Sequence, residues 1–151
     1  LVEFYDYGCP ACSRMKPVIE AALVGFETDV VIYYKQFPLS SHPDSAGAAQ
    51  AALVAHQQGK FNEMHTLLFS NQHAQKMDDL KDYAKQIGLK GETLGADMAA
   101  MKSKVEAEKA EGEKVGIAGT PALYINGRSY DGPSDATSLK MWITEALAKA
   151  I

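Results

Sequence analysis

The sequence is poor in cysteine, has no excess of basic charge and carries no long apolar run. Each shortage removes a class of function. Only two of the 151 residues are cysteine. One pair cannot be the disulfide framework of a domain this large, so a packed core has to hold the fold. The formal net charge is −4, which leaves no electrostatic footprint for nucleic acid. No stretch reaches the apolar length of a membrane span. There is no internal repeat, low-complexity tract or linker. The chain starts inside a strand-like run and not with Met, as expected of a mature or trimmed chain that has lost a targeting segment.

What is present supports one domain. Hydrophobic residues make up 46% of the chain, enough for a real core. Leu1 to Tyr5 reads as a strand with Glu3 as an unusual guest. Met15, Val18, Ile19, Ala22, Leu23 and Phe26 recur at helical spacing, with Pro17 inside the run. Val30 to Tyr34 is apolar, β-branched and aromatic, the pattern of a central strand covered on both faces and ended by Lys35. Phe37-Pro38 leads to a polar turn at Ser40-Ser41-His42-Pro43. Helical patterns follow over Ser45–Gln58, over the face of Phe61, Met64, His65 and Leu68, and over Leu80, Tyr83, Ala84 and Ile87. A last one, long and charged, runs through Leu94, Met98, Met101 and Val105. Ala122–Ile125, Asn126-Gly127 and Arg128–Tyr130 read as a hairpin. Ser134 is placed to cap a final helix with the face Leu139, Trp142, Ile143, Ala146 and Leu147.

The two cysteines form Cys9-Pro10-Ala11-Cys12, between the first strand and the first helix. Two thiols at this spacing can close and reopen a small disulfide ring, which is thiol–disulfide exchange chemistry. Attack requires a thiolate, and the free N–H groups and dipole of a helix start favour one at Cys9. Cys9 is therefore expected to be the exposed nucleophile and Cys12, one turn on, the buried resolving thiol. Pro10 suits the first helical turn. Half of a zinc site is the competing reading of the pair. His42, His56, His65 and His73 show no paired spacing to complete one, and no metal is expected. His65 lies on an apolar helical face and reads as a satisfied core residue, His42 as a turn or capping residue, and His56 and His73 as surface. Tyr5, Tyr7 and Met64 read as core or as the border of a groove. Thr120-Pro121, on the residues alone, is an ordinary turn before a strand.

Glu3-Phe4-Tyr5-Asp6-Tyr7-Gly8-Cys9-Pro10-Ala11-Cys12 resembles the active-site segment of DsbA-like thiol:disulfide oxidoreductases of the thioredoxin superfamily. Pro17 matches the kink proline of that superfamily's active-site helix. Val115-Gly116-Ile117-Ala118-Gly119-Thr120-Pro121 resembles its cis-proline loop, and the helical stretch between Pro38 and Val115 matches its insertion. The resemblance implies an α/β fold, thioredoxin-like, with a helical segment (43–115) inserted between the second and third strands present. Residues 1–42 and 116–151 form the thioredoxin-like part. It implies a cis bond before Pro121, substrate contacts at Pro10, Ala11, Thr120 and Pro121, and a proton-moving role for buried Glu3. Glu3 and Lys35 fall on strands that should be central, where an ion needs a partner, so the two are expected to pair.

The function this implies is a DsbA-like oxidase needing no cofactor. Its partners would be unfolded or partly folded exported proteins and a membrane quinone-linked redox partner, in a periplasmic or other extracytoplasmic space. A reductase or isomerase of the same fold is the alternative, because Ala11 stands where the most oxidising relatives carry His. A thiol- or metal-binding module is the third reading.

Overall fold

The computed structural model of the chain describes residues 1–150. Ile151, the last residue of the range assigned to the thioredoxin-like part, lies outside it. The order is β1 (Val2–Tyr5), α1 (Pro10–Leu23), β2 (Tyr33–Gln36), α2 (Ser45–Gln57), α3 (Phe61–Ser70), α4 (Met77–Gln86), α5 (Leu94–Ala100), α6 (Lys102–Lys114), β3 (Ala122–Ile125), β4 (Arg128–Ser129) and α7 (Ala136–Lys149). The strands form one sheet in the order β2-β1-β3-β4, with β1 parallel to β2 and antiparallel to β3. The hairpin forms at Asn126-Gly127, where both residues take positive φ, 48° and 81°. That is what a two-residue turn between twisted strands demands.

Strand alternation assigns the two faces of this sheet. Glu3 pairs with Tyr34 and Leu123, and Tyr5 lies two residues on, so these four share a face. Helix α1 covers it. Met15 and Ile19 pack there with Leu123 and with Leu139 and Ile143 of α7, while Cys12 joins Tyr5 and the helices α2 to α5 in a second cluster. Phe4, Lys35 and Phe37 face the other way, toward α6. The chain crosses so closely there that a Cβ on Gly112 would lie 2.7 Å from the Phe37 ring and 3.1 Å from Phe4. Gly112→Ala is therefore expected to cost about 1–3 kcal/mol by overpacking, read as a lower denaturation midpoint at unchanged slope.

Four expectations change. The second strand is Tyr33–Gln36, not Val30–Tyr34, and it lies at the sheet edge, not its centre. Val30 and Ile32 are apolar because they pack, as crossover, on the α1–α7 cluster. Pairing starts only where β1 starts, at Val2 with Tyr33, which puts Lys35 inside the strand. The long helix through Leu94 and Val105 is two, α5 and α6, with the junction at Met101. Asp135, not Ser134, caps α7; its carboxylate accepts from the Ser138 N–H at 2.7 Å. Finally, Lys35 does not meet Glu3. The register sets it beside Phe4 on the opposite face, and its Nζ lies 3.4 Å from Glu111 of α6.

Candidate active site

The site is built where β1 runs into α1. Cys9 is the N-cap of α1, with extended backbone (φ −82°, ψ 119°) and no side-chain capping bond. Pro10 occupies the first turn. The Cys9 side chain is thus held at the positive end of a 14-residue helix. Both thiols are free. Cys9 is not the open surface group expected of it: it is 8% exposed, recessed under the loop before β3. Its Sγ lies 3.6 Å from the Thr120 carbonyl oxygen. The Thr120–Pro121 peptide is cis. The Thr120 hydroxyl is buried without a hydrogen-bond partner. Pro10 is exposed, and Ala11, Thr120 and Pro121 are half-buried around the sulfur.

Cys12 is fully buried, and burial pushes its thiol well above the usual range. Cys12 therefore holds its proton at neutral pH. Glu3 is 2% exposed, and burial pushes its carboxyl up to about 8 from an ordinary 4.5. At neutral pH Glu3 is therefore mostly a neutral acid, on the sheet face that α1 covers.

Beneath the site runs a chain of buried hydrogen bonds. The Gln36 amide donates to Tyr5 Oη. The Tyr5 and Tyr7 hydroxyls lie 2.9 Å apart, and Tyr7 Oη lies 2.8 Å from His65 Nδ1. Burial keeps His65 neutral, pushing it down to about 3. His65 stacks on Phe61 at 4.8 Å, so it is a core residue, as are Tyr5, Tyr7 and Met64. His65→Leu is expected to leave the Tyr7 hydroxyl with Tyr5 as its one side-chain partner and to cost about 1–3 kcal/mol in denaturant unfolding.

Several residues at the site carry no signal in the sequence. Gln72 Nε2 donates to the carbonyls of Tyr7 and Cys9, at 3.0 and 2.9 Å. Gln75 Nε2 donates to Tyr7 O at 3.1 Å. These two amides, from the α3–α4 loop, clamp the backbone that presents Cys9. Asp6 is buried. Its carboxylate accepts from the Gly8 N–H at 2.9 Å and lies 2.6 Å from His42 Nδ1. A cleft of about 560 Å³ opens beside Cys9, lined by Gly8, Pro10, His42, Gln72 and His73 among others.

A thiol at the start of a helix, a second buried one turn later and a cis-proline loop across the first sulfur can support thiol–disulfide exchange. The family model described as thioredoxin matches residues 1–145. A thioredoxin-like oxidoreductase from Silicibacter pomeroyi DSS-3 is 28% identical with a TM-score of 0.80, over 99% of this chain and 84% of that one. The DsbA disulfide interchange protein of Klebsiella pneumoniae, at 19% identity, shares the fold with a TM-score of 0.77, over 97% and 87% of the two chains. The chain belongs to the thioredoxin family.

A curated relative, named Na(+)/H(+) antiporter NhaA 1, from Mycobacterium sp. (strain KMS), is 37% identical over 92% of this chain but only 24% of its own length. The chain thus spans about a quarter of the curated relatives it matches first. No helix among the described residues is long and apolar enough to cross a membrane.

Proposed function

We propose that the protein is a disulfide-donating oxidase, with Cys9 as the sulfur that substrates attack and Cys12 as the resolving thiol. The single observation behind this is the placement of Cys9 as N-cap of α1, with its sulfur against the Thr120–Pro121 loop. A helix start favours the Cys9 thiolate, and stabilising the reduced form is what makes a disulfide oxidising. In the oxidising direction a substrate thiolate attacks Cys9 Sγ of the Cys9–Cys12 disulfide. The Cys9–substrate bond forms and the Cys9–Cys12 bond breaks. Cys12 leaves with the electron pair and takes a proton, which Glu3 is suited to supply. A second substrate thiolate then attacks the substrate sulfur, and Cys9 leaves as thiolate. The substrate is oxidised by two electrons and the protein becomes the dithiol.

Pro10, Ala11, Thr120 and Pro121 border the sulfur, and the Thr120 backbone suits pairing with an extended substrate segment, as an added strand would. Such substrates are unfolded or partly folded exported proteins with free cysteines. The setting is periplasmic or extracytoplasmic, with a membrane quinone-linked partner reoxidising the dithiol. Lys35, turned toward α6, takes no part. The test is to mix the oxidised protein with a reduced, unfolded protein containing one cysteine pair. The expected result is one disulfide transferred per molecule with loss of the Cys9–Cys12 disulfide. An oxidised protein that leaves the substrate reduced excludes the oxidase.

A further inference from the structure

Gly8 and Pro10, the chain neighbours of Cys9, line a cleft of about 560 Å³ together with the β2–α2 and α3–α4 loops. Gln72 and Gln75 enter it from the second of these loops. The amide nitrogen of each donates to two backbone carbonyls. Gln72 reaches Tyr7 and Cys9 at 3.0 and 2.9 Å, and Gln75 reaches Tyr7 and Leu68 at 3.1 and 3.0 Å. Both hydrogens of both amides are thus spent, which fixes the way each amide is turned. What each has left is an Oε1 acceptor, and neither accepts a bond among the described residues. Gln75 is 3% exposed, and a buried acceptor without a partner calls for one.

The charge of the lining points the same way. Asp44 brings a carboxylate, and no lysine or arginine lines the cleft. Asp44 is exposed at the N-cap of α2, and its side chain makes no capping bond there. The backbone donor that the active-site turn could offer is already used: the Gly8 N–H donates to Asp6 Oδ1 at 2.9 Å and to Ser45 Oγ at 3.1 Å. His42 is tied through Nδ1 to Asp6 at 2.6 Å, and His73 is exposed. Lys102 and Lys109 of α6 line a different pocket. Next along the chain from Gln75 comes Lys76, outnumbered by Asp78 and Asp79 in the first turn of α4.

We propose that this cleft is a substrate subsite for a basic side chain, the ammonium of a lysine or the guanidinium of an arginine close to the reacting cysteine of the substrate. Free acceptors and a carboxylate, with no fixed cation among them, select a donor-rich cation and disfavour an acidic side chain. The cation donates to the Gln72 and Gln75 oxygens and pairs with Asp44. The proposal deepens the redox reading of Cys9 and Cys12 given above and rests on it: the substrate thiol arrives at Cys9, and a residue near it in the substrate reaches the cleft past Gly8 and Pro10.

Single-cysteine peptides test it, carrying Arg, Lys, Gln or Glu either two residues before or two residues after the cysteine. Each is mixed with the oxidised wild type, Asp44→Asn or Asp44→Lys, and the loss of the Cys9–Cys12 disulfide is timed. In each exchange two peptide thiols are oxidised to one disulfide and the protein disulfide is reduced to the dithiol. Rates are divided by that of the same protein with 2-mercaptoethanol, a small neutral thiol. Wild type is expected to react roughly tenfold faster with the Arg and Lys peptides than with the Gln peptide, the order of one charge-assisted hydrogen bond, and slowest with Glu. The advantage is expected on one side of the cysteine only, because one cleft beside one sulfur fixes the direction. D44N is expected to cut it to roughly threefold, and D44K to favour Glu over Arg. Attraction to the net charge of −4, or a change in the reactivity of the peptide thiol itself, would act alike for both placements. Equal rates for Arg, Gln and Glu, an equal advantage on both sides, or an advantage unchanged in D44K overturns the proposal and leaves the oxidase standing. A wild-type disulfide that neither the peptides nor 2-mercaptoethanol reduce overturns the redox reading and the proposal together.

Discussion

Cys9→Ala is expected to abolish disulfide transfer, a loss on the order of a thousandfold or more, because it removes the atom at which the substrate bond forms. Cys12→Ala is expected to behave differently. It retains the sulfur at the helix start and loses the resolving partner, so covalent complexes with substrate accumulate, visible as shifted bands that a reductant collapses. The asymmetry follows from geometry. Cys9 borders the Thr120 loop and its chain neighbours Gly8 and Pro10 line the cleft, whereas Cys12 is fully buried and kept as a thiol by that burial. Equal losses in both variants, with mixed disulfides in neither, would contradict the assignment of roles.

The second large effect lies in stability against pH. Two buried groups are shifted in opposite directions. Glu3 is raised from 4.5 to about 8, so between those values the folded protein binds more protons than the unfolded chain, and stability falls as pH rises. His65 is lowered from 6.5 to about 3, so between those values the folded protein binds fewer protons, and stability falls as pH drops. The windows overlap from about 4.5 to 6.5, where the two slopes oppose each other. The reduced protein should therefore show a stability plateau there, with a decline on the acid side from His65 and on the alkaline side from Glu3. Each group's full window integrates to about 5 kcal/mol, of which about 2 kcal/mol falls outside the overlap and is read as the decline. Glu3→Gln is expected to remove the alkaline decline, leaving the variant more stable than wild type at pH 8 while His65 still governs the acid arm. Urea unfolding at fixed pH values reads both arms. An alkaline decline that survives in Glu3→Gln would mean that another group titrates there.

Most of the fold was legible because its signals are local. The helix faces follow a 3.6-residue period, the Asn-Gly turn demands positive φ, and the cysteine pair marks a strand-to-helix junction. Non-local partners set what was not legible. The apolar run at Val30–Ile32 has the composition of a buried strand, but only the register against Val2 decides which residues pair. The same register separates Lys35 from Glu3 by placing them on opposite sheet faces, which alternation alone cannot reveal without knowing the partner residue. The recess of Cys9 comes from a loop 111 residues away in the chain. Gln72 and Gln75 are polar residues in a loop, unremarkable until they are seen donating to the Tyr7 and Cys9 carbonyls. Asp6 and His42 lie 36 residues apart, and neither suggests a hydrogen bond until the turn after β2 folds back over Gly8.

The central claim is that the Cys9–Cys12 disulfide, with Cys9 at the start of α1, is a disulfide donor. The equilibrium constant of wild-type protein with glutathione measures this directly. The account predicts an oxidising couple, toward about −120 mV. A couple near −270 mV, at roughly the thioredoxin end, would contradict it and assign the same site to reduction.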